Sequence, residues 1–97
     1  MKYNDRYLVL SNFLEGYLGE EFELWGNTIE EIVAAYKRES QPLERLILVG
    51  QIDQFCRDHA ANLDTAFKAA YGLTFNPVRW GHTTASFLEE VMRLLSE

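Results

Sequence analysis

The chain has 97 residues and a formal net charge of −6, from 15 acids against nine Lys or Arg, and it carries one cysteine. That length suits one domain with a modest core and excludes a large multidomain layout. The charge disfavours direct nucleic-acid contact, which needs clustered Lys and Arg, and a lone Cys56 cannot close an internal disulfide.

Hydrophobic residues at 47% and aromatics at 13% predict a globular chain rather than a disordered one. No apolar run approaches the ~20 residues that a membrane helix needs. The first residues, MKYNDRYLVLSNFLEG, lack the basic start, unbroken apolar run and small-residue cleavage site of a signal peptide. A cytoplasmic chain with no membrane contact is the expectation. The charge is uneven. Seven acids and two bases lie within residues 1–31, so nearly all of the excess falls in the first third of the chain. A one-sign surface of this kind suits a basic partner, because it steers encounter.

Residues 5–18 read as a first helix. Tyr7, Leu10, Phe13, Leu14, Tyr17 and Leu18 recur at three- and four-residue steps, with Asp5 as N-cap and Gly19 as stop. Residues 19–27, GEEFELWGN, form an acidic and aromatic linker. Thr28 to Glu39 is a second helix, in which Thr28 and Glu31 match a capping box. Ile29, Ile32, Val33 and Tyr36 make its inner face, and Ala34 and Ala35 allow close approach. Pro42 suits the first turn of a third helix, about 42–59, where the N–H groups have no intrahelical partner anyway. Its apolar residues, from Leu43 to Cys56, cover more than one stripe. They predict a central helix touching neighbours on two sides, with Gly50 at a close crossing.

Asn62 is placed to cap a short fourth helix, 63–71, with Leu63, Phe67, Ala70 and Tyr71 inward. Residues 73–83, LTFNPVRWGHT, predict an irregular connection laid over the core. Thr83 or Thr84 then caps a last helix to about 96, burying Phe87, Leu88, Val91, Leu94 and Leu95. The expected fold is all-α: a single domain over 1–97, with about five helices packed as a compact bundle.

Catalytic patterns are missing. The chain has no phosphate-binding glycine loop, no G-x-S-x-G and no dinucleotide fingerprint. His59 and His82 have no His or Cys at metal-ligand spacing. No enzyme activity, cofactor or metal is expected. Cys56 reads as a small apolar side chain within a helix. The candidate site is therefore a partner-binding one: Glu20, Glu21, Phe22, Glu23, Trp25, Glu30 and Glu31. Charge would steer the partner and the aromatics would anchor it. Glu30 and Glu31 also have a structural use, since carboxylates are favoured in the first turn of a helix.

Taken as a unit, FLEGYLGEEFELWGNTIEEIVAAYKRES (residues 13–40) resembles the small helical immunity proteins of bacterial contact-dependent growth inhibition systems. The matching residues, in order, are Tyr17–Leu18, Glu21–Phe22, Thr28–Glu30–Glu31 and Ile32–Val33–Tyr36. Gly72, Phe75 and Pro77 resemble the family's later connection before its final helix. Leu18 stands where an aromatic is common, and the 73–83 connection lacks a charged Asp-Gly tip. The resemblance implies a non-enzymatic cytoplasmic inhibitor. It would bind, one to one, the C-terminal toxin domain of a CdiA-type effector. That domain would be basic and a nuclease, and the inhibitor would cover its active site. The alternative from the residues themselves is a helical adaptor or regulatory subunit that associates through an exposed apolar face of helix 42–59.

Overall fold

The computed structural model describes residues 7–97. They form five α-helices, with no strand among the described residues: α1 (Leu8–Tyr17), α2 (Ile29–Glu39), α3 (Pro42–Asp58), α4 (Leu63–Tyr71) and α5 (Thr84–Ser96). The all-α expectation holds. The radius of gyration is 12.4 Å and the extents are 32 × 29 × 26 Å, close to the ~13 Å expected of a folded chain of this length.

The apolar stripe of α1 is buried as its spacing requires, through Leu10, Phe13 and Leu14, with Tyr7 and Leu18 flanking them. The helix ends at Tyr17, one residue short of the expected Leu18, and the Leu18 N–H donates to the Leu14 carbonyl at 3.0 Å. The expected Asp5 cap lies outside the described residues. Helix α1 runs antiparallel to α3. The Tyr7 hydroxyl bonds the Asp58 carboxylate at one end, and the Leu10 N–H donates to Gln51 Oε1 at 3.0 Å further along.

The cap of α2 is shifted by one residue on one side. Thr28 Oγ1 accepts from the Glu31 N–H at 3.1 Å, as the capping box predicts. The Glu31 carboxylate, however, accepts from the Asn27 N–H at 2.8 Å instead of reaching Thr28. The chain closes tightly enough on this carboxylate that a Cβ on Gly26 would lie 2.5 Å from Glu31 Cβ. Only glycine fits there. Inward from the cap lie Ile29, Ile32, Val33, Ala35 and Tyr36.

Helix α3 is not the centre of the bundle. It packs on α1 and α5 through one narrow face, with Leu48, Ile52 and Phe55 buried. Leu43 (67%), Leu46 (69%) and Ile47 (41%) stay exposed. Gly50 is no crossing point either: a Cβ there would meet nothing within 4 Å. The central helix is α5, which packs on α2, α3 and α4. Its buried set matches the expected one. Thr83 caps it through a reciprocal box with Ser86, both N–H···Oγ distances being 3.0 Å. Serine thus takes the role more often filled by Glu or Gln.

Helix α4 buries Phe67 and Tyr71, while Ala70 is exposed and Asn62 makes no side-chain cap bond. The connection that follows is irregular, with one 3₁₀ turn at Pro77–Trp80. Asn76 Oδ1 accepts from the Val78 N–H at 3.1 Å. Gly81 leaves the turn at φ +80°, a left-handed conformation that glycine adopts without steric cost. The buried Phe75 ring lies 4.6 Å from Phe87, centroid to centroid, and holds the connection onto α5.

Two basic side chains close helix ends from other elements. Lys37 Nζ donates at 2.9 Å to the carbonyls of Leu94 and Glu97, at the C-terminal end of α5. Arg45 donates at 2.8 Å to the Lys37 carbonyl and at 3.0 Å to that of Ser40, at the end of α2. Both place a cation where the helix dipole is negative and unpaired carbonyls remain. Replacing Lys37 with Met is therefore expected to cost about 1–2 kcal/mol, since it removes two charged hydrogen bonds and one dipole partner. Thermal denaturation should show this as a fall of several degrees in Tm.

Tyr36 is buried, and among the described residues its hydroxyl makes no well-formed hydrogen bond. Burial, and then the negative charge of Glu44, pushes its pKa up to about 12. The neutral phenol is thus favoured in the folded chain, whose stability is intact below the ordinary tyrosine pKa of ~10. It falls as pH climbs from about 10 toward about 12. Tyr36→Phe should leave stability at neutral pH unchanged or raised, because an unsatisfied buried hydroxyl is removed. It should also flatten the alkaline loss, as read by melting curves across that window.

Candidate binding surface

The residues expected to bind a partner divide into three groups. The first comprises exposed carboxylates. Glu20 and Glu21 follow the end of α1, and Glu23 lies on the 3₁₀ turn Phe22–Leu24. Glu20 and Glu21 line an open cleft together with Glu15, Gly16, Gly19, Leu73 and Thr74. Sequence periodicity put Glu15 on the outer face of α1 but could not join it to the linker. It also missed Leu73, which is fully exposed. An isolated leucine in a loop gives no periodic signal. Only the fold brings the 73–83 connection beside the linker. The cleft continues past Glu20 to Arg79 and Trp80, so its far end carries a base.

The second group is aromatic and structurally engaged. Trp25 is half-buried over Tyr17, with ring centroids 4.7 Å apart. Its Nε1–H donates to the Gly16 carbonyl at 3.1 Å. Phe22 is also half-buried and meets Trp80 edge to face at 5.0 Å. Each ring buries its body and leaves an edge at the surface, which pins the linker to α1 and to the 73–83 connection.

The third group lies at the start of α2. Glu31 is occupied by the cap described above. Glu30 is exposed, and its charge helps to raise the pKa of Arg93 on α5, behind the larger effect of Glu90. It does not line the cleft that Glu20 and Glu21 share.

The negative surface extends in the other direction as well. Burial, then the charges of Glu39 and Glu44, raises the pKa of Tyr17, the ring beneath Trp25. The carboxylates at the α2–α3 corner thus lie within electrostatic reach of the linker's aromatic patch.

No chemistry emerges from this arrangement. Among the described residues, no group of three or more His, Cys, Asp or Glu is placed to hold a metal ion. Burial raises the Cys56 thiol pKa, which disfavours the thiolate. His82 Nδ1 lies 2.9 Å from Ser86 Oγ within the α5 cap, and His59 packs on Phe55 at 4.7 Å. Among the described residues, no helix is long and apolar enough to cross a membrane.

No curated protein and no solved structure matches the chain. A family model described as CdiI immunity protein matches residues 6–95, nearly the full length and well beyond the sharpest part of the resemblance at residues 13–40. The chain belongs to the CdiI immunity protein family, whose members are non-enzymatic inhibitors of contact-dependent growth inhibition toxins.

Proposed function

We propose that this protein neutralises its cognate toxin in the cytoplasm by binding the toxin domain one to one and covering a basic active site. The supporting observation is the cluster of exposed carboxylates, Glu15, Glu20, Glu21 and Glu23, beside the half-buried Phe22 and Trp25 and the exposed Leu73. An enzyme that cleaves nucleic acid must attract phosphate, so its active site is electropositive. An acidic protein surface placed there uses the same attraction and excludes the substrate. The inhibitor needs no chemistry of its own, which agrees with the family's non-enzymatic character.

Within this interface the residues have different tasks. Glu20, Glu21 and Glu23 supply the steering charge, with Glu15 across the cleft. Trp25 and Phe22 give the linker its shape and offer apolar edges at the surface. Glu31 stabilises α2 and lends only its negative field, while Glu30 forms the border toward Arg93.

Triple reversal of Glu20, Glu21 and Glu23 to Lys tests this reading. All three side chains are exposed, so the melting temperature should hardly change. The association rate with the toxin domain should drop by at least about tenfold at low salt and lose most of its salt dependence. Stopped-flow or surface-based kinetics at two ionic strengths reads both effects. An unchanged association rate would place the interface elsewhere.

A further inference from the structure

Among the described residues, nothing packs over the outer face of α3. Leu43, Leu46, Ile47 and Gly50 fall at i, i+3, i+4 and i+7, so they form one stripe along the helix. The three apolar side chains are exposed, and Gly50 faces open space. Glycine is among the poorest helix residues, and nothing inside the protein asks for it at position 50. A glycine ending an apolar stripe gives an outside surface room to approach the helix backbone.

We propose that this stripe is a second, apolar contact for the toxin domain, with Glu39 and Glu44 as its charged rim. The inference rests on the proposed function. Charge selects the occupant. Glu39 and Glu44 are exposed at the N-terminal end of the stripe beside Arg38, while Arg45 is engaged with the Lys37 and Ser40 carbonyls; the two carboxylates suit the same basic partner as those of the linker. A second copy of the chain would bring another net −6 toward this one. The stripe is also small beside the roughly 800 Å² per partner of a stable interface. Alone it does not hold a dimer. Used together with the acidic linker, it supplies the kind of dry apolar centre that charged rims surround in protein interfaces.

The test titrates wild type, Leu46→Arg and Gly50→Arg against the purified C-terminal toxin domain of the cognate effector. Circular dichroism and melting curves check each fold, and light scattering is run on the free proteins. Position 46 is exposed and position 50 open, so both variants should fold. Gly50→Arg should melt at or above wild type, since it replaces a poor helix former. Both variants should bind at least about 30-fold more weakly, chiefly through faster dissociation. If wild type binds tightly and both variants stay within about threefold of it, the stripe is no contact and the proposed function still stands. If wild type itself does not bind, the proposed function falls and this inference with it. A wild-type dimer that Gly50→Arg dissociates would assign the stripe to a second copy instead.

Discussion

Burial of one face of α5 is the constraint on which the other elements depend. Phe87, Leu88 and Val91 are fully enclosed, with Leu94 and Leu95 nearly so. The remaining helices supply the surfaces that enclose them. Apart from the 17-residue α3, the helices have nine to 13 residues, lengths at which an isolated helix is marginal in water. Each therefore owes its stability to packing on a neighbour. Helix α5 joins α2, α3 and α4, and Phe75 ties the loop before it to the same core. The Thr83–Ser86 box fixes where α5 begins, and Lys37 from α2 binds the carbonyls at its end.

This arrangement leaves two connections on the surface. With α5 in the middle, the linker between α1 and α2 and the connection between α4 and α5 lie side by side on the outside. Their aromatic residues anchor them, Trp25 to Tyr17 and Phe22 to Trp80, so the carboxylates between them are displayed on a fixed frame. A charged surface held in this way loses little conformational entropy on binding, because the backbone carrying it is already ordered. The same packing leaves α3 lying against the bundle by one edge only. Its opposite face has no neighbour among the described residues to cover it.

Local signals in the chain were strong wherever a single element decides the outcome. The three- and four-residue spacing in α1, α2 and α5 located their buried faces, Thr28 and Thr83 marked helix starts, and Pro42 opened α3. The family resemblance follows the same residues, Thr28, Glu31, Ile32, Val33 and Tyr36, because they are the ones that build and cap α2. Where two elements compete, the chain alone misleads. Leu43, Leu46 and Ile47 are as apolar as any core residue, yet they are exposed because α5 rather than α3 occupies the centre. Asn62 has the right chemistry for a cap and makes no cap bond.

The amino-acid sequence by itself determined the helical class, most helix ends, the excess of acid near the N-terminus and the absence of recognisable catalytic motifs. These are properties of composition and of spacing within one helix, where neighbours in space are also neighbours in sequence. Only the tertiary structure decided which helix is central, that Glu15 and Leu73 share a cleft with Glu20 and Glu21, that Phe22 and Trp25 are braces, and that one face of α3 stays bare. Those outcomes depend on how five short apolar faces share one small core. Burial is non-directional, so an apolar stripe records that a residue can be buried but not which neighbour buries it.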